Sequence, residues 1–81
     1  MDKLDYALLD FMLNTCQAKT KMSATSRKRI LSEFEVKNDT LYRRLKHLIE
    51  NGYAENGIKE SREHTYFITD KGINALKEAM K

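Results

Sequence analysis

The side chains in this sequence best equipped for chemistry are its cations, and they are unevenly spread. Nine of the fifteen basic residues lie between Lys19 and His47: Lys19, Lys21, Arg27, Lys28, Arg29, Lys37, Arg43, Arg44 and Lys46. Only three acids, Glu33, Glu35 and Asp39, share that stretch, whereas the remainder holds six basic and nine acidic residues. Segregated charge makes a directional field that draws a polyanion to one part of a molecule. The plainer reading is a solvated face, and only the placement of these residues on structure separates the two.

Catalytic chemistry finds little support. No Ser-His-Asp or Cys-His pair can be assembled from the spacing, and three glycines form no phosphate-cradling loop. A single cysteine, Cys16, cannot build a disulfide framework and fits a reducing compartment. With two histidines it cannot supply a zinc cluster of standard spacing either. No enzyme activity, metal or cofactor is expected, and no small-molecule ligand is identifiable. The longest apolar run, Tyr6-Ala7-Leu8-Leu9, is too short to span a bilayer. Asp2, Lys3, Asp5 and Asp10 interrupt the N-terminal segment, which does not read as a signal peptide. Eighty-one residues predict one small domain over 1–81, cytoplasmic and without a membrane partner.

The elements that would carry the cations follow from periodicity. Over about 2–17, Leu4, Leu8, Phe11 and Met12 fall on one side of a helix. Tyr6, Leu9, Leu13 and Cys16 form a second stripe, so this helix is expected to be covered on both sides, by its own chain or by a second subunit. Ser23, Thr25 and Ser26 are each able to cap a second helix over about 24–34, with Ile30, Leu31 and Phe34 inward. After a turn at Glu35–Asn38, Asn38 or Asp39 can cap a third helix over about 39–51, which Gly52 would end. Its buried stripe is Leu41, Leu45, Leu48 and Ile49. Asp39, Thr40, Arg43, Lys46, His47 and Glu50 face out, with Tyr42 and Arg44 on the flanks.

Over about 53–68 the pattern turns extended, as two strands around a tip at Glu60-Ser61-Arg62. That register pairs Ala54 with Ile68, Asn56 with Tyr66 and Ile58 with His64; a shorter hairpin turning at Asn56-Gly57 is the alternative. Thr69 can cap a last helix over about 70–81, with Ile73, Leu76 and Met80 on one stripe.

Residues 36–54, VKNDTLYRRLKHLIENGYA, resemble the turn and recognition helix of winged helix-turn-helix regulators through Thr40-Leu41, Leu45-Lys46-His47-Leu48 and Gly52. Residues 66–72, YFITDKG, are similar to the segment that closes the wing and opens the last helix in PadR-like and MarR-like regulators. The two segments cover about a third of the chain. The resemblance departs at Lys37, where a serine cap is usual, at Glu35, where the turn often has glycine, and at Leu31 and Ala54. It implies an α+β, mostly α, winged helix: a three-helix core, a two-stranded wing and a C-terminal helix. It also implies a double-stranded DNA partner, a transcriptional regulator of prokaryotic or mobile-element type and a place at the nucleoid.

On that reading Asp39, Thr40, Arg43 and His47 are candidates for base readout. Arg43 is foremost, because a guanidinium can bond guanine O6 and N7 together; its alternative is an ion pair with Asp39. Arg27, Lys28, Arg29, Asn38, Tyr42, Arg44, Lys46 and Arg62 are candidates for the DNA backbone. Three cations at the start of the second helix oppose its dipole, and a phosphate contact there would offset them. The resemblance also implies a homodimer through the first and last helices, using Tyr6, Leu9, Leu13, Cys16, Ile73, Leu76 and Met80. The alternative is that the last helix covers the first within one chain. A rival function is a protein-interaction module whose basic face docks on an acidic partner.

Overall fold

The computed structural model describes residues 1–59 and 63–79. Helix α1, Lys3–Asp10, opens with a reciprocal cap: the Asp2 carboxylate accepts the Asp5 N–H at 3.1 Å, and Asp5 accepts the Asp2 N–H at 3.2 Å. This satisfies two of the donors that every helix start leaves open. The expected single helix over 2–17 is corrected beyond Asp10. Phe11–Thr15 winds as a wider π turn, with the Cys16 N–H reaching back five residues to the Phe11 carbonyl at 3.0 Å. Widening lets the adjacent Phe11 and Met12 both enter the core, and Phe11 meets Phe34 edge-on at 5.5 Å. Gln17 then takes a left-handed conformation, φ 53°, and ends the element.

Strands β1 (Thr25–Ser26), β2 (Ala54–Asn56) and β3 (Thr65–Ile68) form an antiparallel sheet in the order β1-β3-β2. The expected two-stranded wing forms from β2 and β3, and a third strand joins it. β1 pairs Thr25 with Tyr66 and Ser26 with Thr65, covering the edge of β3 that a hairpin alone would leave open. All four residues of β3 are buried, as a central strand requires. Because Thr25 and Ser26 belong to the sheet, the second helix starts at Arg27 rather than 24: α2 is Arg27–Glu33, with the Ser26 hydroxyl accepting the Arg29 N–H at 3.1 Å.

Helix α3, Asn38–Glu50, is capped in position by Lys37 without a side-chain bond, so neither Asn38 nor Asp39 serves as the cap. Both lie inside the first turn, where Asp39 complements the dipole. At the other end Gly52 turns left-handed, φ 80°, and Lys71 Nζ donates to the Asn51 carbonyl at 2.7 Å. Leu41, Leu45 and Leu48 are fully buried with Leu8, Leu9, Met12, Ile30 and Ile68, while Ile49 is half-buried.

β2 and β3 pair Ala54 with Ile68 and Asn56 with Tyr66. The expected Ile58–His64 pair is absent from the ladder: the Thr65 hydroxyl donates to the Ile58 carbonyl at 2.8 Å, and Ile58 is 57% exposed. The expected tip at 60–62 lies outside the described residues. Helix α4, Asp70–Ala79, is begun by Thr69, whose hydroxyl accepts the Gly72 N–H at 3.1 Å and donates to the Gly52 carbonyl at 2.6 Å. α4 packs against α1 within the same chain, and Leu9 and Leu76 are buried.

Candidate nucleic-acid interface

The outward face of α3 carries Asp39, Thr40, Arg43, Lys46 and His47, all exposed. Leu41, Leu45 and Leu48 turn the opposite face into the core, which leaves this face toward solvent. Among the described residues the pairing of Arg43 with Asp39 is not formed, and Arg44 pairs instead with Asp2 and Asp5. The His47 ring lies 3.4 Å from the Asn51 amide nitrogen. Tyr42 is 46% exposed on the flank facing the sheet.

Arg44 does not join this face. Its Nη1 lies 2.5 Å from Asp2 Oδ2 and 3.6 Å from Asp5 Oδ2, so it turns toward the start of α1 and leaves the set of DNA-backbone candidates. The Asp2 carboxyl is held below its ordinary range, first by the Asp5 N–H it accepts and further by the Arg44 guanidinium.

At the start of α2, where a phosphate is expected, a carboxylate of the chain itself meets the backbone. Glu63 accepts the Lys28 N–H at 2.9 Å, leaving the Lys28 and Arg29 side chains exposed. Arg27 is half-buried, its guanidinium 5.5 Å from the centre of the Tyr42 ring. Asn38 is exposed on the first turn of α3. Arg62 and Met80 lie outside the described residues.

Between α3 and the sheet is a cleft of about 270 Å³ lined by Tyr42, Lys46, Ile49, Glu50, Asn56, His64 and Tyr66. Asn56, His64 and Tyr66 were not among the sequence candidates, and strand pairing alone brings them beside α3. Tyr66 is only 3% exposed, and that burial pushes its hydroxyl pKa above the usual 10.0, with the nearby Arg27 charge opposing. Sequence reading also missed the Asp2–Asp5 cap, although an acid three residues after a capping aspartate was a readable signal.

Of the first- and last-helix candidates, Leu9 and Leu76 are buried within the chain and leave a second subunit little surface to meet. Tyr6, Leu13, Cys16 and Ile73 are half-buried. Among the described residues, no group of three or more His, Cys, Asp or Glu is placed to hold a metal ion, and no helix is long and apolar enough to cross a membrane.

A turn between α2 and α3, an exposed cationic α3 and a strand pair leading into α4 define the winged-helix class, and this chain has that fold. The chain matches no family model. It is 28% identical over 80 residues to the DNA-binding protein TubR of a Clostridium botulinum C phage, across 99% of this chain and 98% of that relative. The solution structure of a DNA-binding TubR fragment from Clostridium botulinum matches with a TM-score of 0.74 and 26% identity, over 99% of this chain and 98% of that one. TubR from Bacillus megaterium pBM400 superposes with a TM-score of 0.87 at 19% identity, over 99% and 87% of the two chains, a likeness of fold.

Proposed function

We propose that this protein binds double-stranded DNA in a sequence-dependent way, with α3 lying in the major groove, and that it acts as a homodimeric transcriptional regulator. The observation that carries the reading is the outward face of α3, where Arg43, Lys46 and His47 are exposed and unpaired by acids among the described residues. A helix of this width fits the major groove, and its outward residues are those that meet base edges. Asp39, Thr40, Arg43 and His47 take the base-reading role. Lys28, Arg29, Asn38 and Lys46 take phosphates, and Tyr42 with Arg27 flanks them. The relatives that share nearly the whole length of the chain and are named for DNA binding support the same function. A mobile-element setting accords with a phage relative. As a dimer, the protein would read two half-sites about 10 base pairs apart.

The test is a titration of random and selected duplexes at two salt concentrations. If six or more phosphates are engaged, affinity falls by about a thousandfold or more between 50 and 200 mM salt. One selected sequence should also bind well above the random pool. Affinity that is flat with salt and equal for every duplex would overturn the proposal and leave the acidic protein partner as the reading.

A further inference from the structure

We propose that Asp2 and Asp5, acting through Arg44, are positioning residues that fix the rotation of α3 about its own axis. This deepens the DNA-binding reading, because that rotation decides which side chains a duplex meets.

The inference starts from a carboxylate in an unfavourable place. Asp5 is 1% exposed, and its Oδ1 has no hydrogen-bond partner. Its other oxygen accepts the Asp2 N–H at 3.2 Å and lies 3.6 Å from Arg44 Nη1. Burying a half-satisfied acid is destabilising, and an apolar residue at position 5 would pack there without that penalty. What the acid adds is direction. The leucines of α3 hold it through apolar contact, which is non-directional and tolerates rotation. A guanidinium held by two carboxylates does not tolerate it, since its planar donors must meet fixed acceptors. Asp2 and Asp5 are themselves fixed by their reciprocal cap at the start of α1. Arg44 follows Arg43 directly, and successive helix residues lie about 100° apart around the axis. Anchoring Arg44 against α1 therefore aims Arg43 outward.

The experiment compares the parent with Arg44→Met, which keeps length and apolar stem, and with Asp5→Asn, which keeps shape and an acceptor for the Asp2 N–H. The ratio of affinities for a selected and a random duplex should fall about tenfold in both variants, the low end of what one base contact discriminates. The salt slope on random duplex should stay at the parent's value, because Arg44 meets no phosphate. A slope reduced by about one in Arg44→Met, with both duplexes weakened alike, would make Arg44 a phosphate contact and overturn the proposal. So would an unchanged ratio in both variants. Relaxation dispersion on the free proteins gives a readout without DNA: microsecond-to-millisecond exchange over residues 38–50 should appear in Arg44→Met and be absent from the parent. Its absence from both overturns the clasp. A parent that prefers no duplex overturns the DNA reading, and the dispersion result then judges the clasp alone. If Asp5→Asn fails to fold, Asp2→Asn, which alters the more exposed partner, takes its place in both measurements.

Discussion

At the scale of single residues, the cations of the middle third divide by what holds them. Arg44 is tied to two acids and Arg27 lies over the Tyr42 ring, whereas Arg43 and Lys46, on the outer face of α3, form no ion pair among the described residues. These last two differ in chemistry. Arg43 presents a planar fork suited to guanine, so Arg43→Ala should lose about 1–3 kcal/mol of discrimination at one base position. Lys46 is a point charge, so Lys46→Ala should weaken every duplex alike and lower the salt slope by about one. Duplex titrations at several salt concentrations measure both. A variant pair with these effects exchanged would reverse the assignment of the two side chains. Acid provides a further check. The Asp2 carboxyl titrates lower in the folded chain than its ordinary 3.8, so its stabilising contribution is full well above that value and is lost as the pH falls through the folded one. Thermal melts from pH 5 down to pH 2 should therefore show a steeper fall for the parent than for Asp2→Asn.

At the scale of elements, the helices were legible where apolar stripes repeat, and the sheet was legible only in part. Gly72 illustrates what periodicity cannot reveal. A Cβ there would meet the Tyr53 carbonyl oxygen at 2.2 Å and Ile68 Cγ1 at 2.7 Å, because the start of α4 lies directly on the chain entering β2. Gly72→Ala should destabilise the fold by about 1–3 kcal/mol through overpacking, measured by urea denaturation. Gly72→Ala as stable as the parent would mean that the approach of α4 relaxes freely. The pairing of Ala54 with Ile68 was readable because both are apolar and fall in register across a plausible hairpin. The third strand was not: Thr25 and Ser26 looked like caps, and Ser26 is indeed the cap of α2 while also pairing with Thr65. Two residues are too short a strand to leave a pattern. The π turn escaped notice for a related reason, since it shifts the helix by one residue where both flanking faces are apolar. At the candidate site, exposure of Arg43 and Lys46 followed from the leucine stripe alone. The diversion of Arg44 did not, because it depends on where α1 sits, a long-range fact that the local pattern of α3 does not contain.

At the scale of the whole molecule, the open question of assembly turns on how much apolar surface one chain leaves uncovered. The stripe of Tyr6, Leu9, Leu13 and Cys16 looked sufficient for a second subunit, but α4 packs against α1 within the chain, and Leu9 and Leu76 are each buried. What remains is a half-buried band of Tyr6, Leu13, Cys16 and Ile73. Tyr6 lies on α1, Leu13 on its π turn with Cys16 just after it, and Ile73 on α4, whereas the base-reading candidates lie on α3. Tyr6 is the sharpest probe of that band, since Leu13, Cys16 and Ile73 also pack partly against the core. Tyr6→Lys places a charge in any symmetric contact twice over, because the same patch is used by both subunits. Sedimentation at micromolar concentration should show the parent as a dimer and Tyr6→Lys as a folded monomer. On DNA, the parent should prefer two half-sites one helical turn apart by far more than either alone, and Tyr6→Lys should bind one half-site as well as two. A parent that sediments as a monomer and binds a single half-site equally well would remove the homodimer while leaving α3 as the reading element.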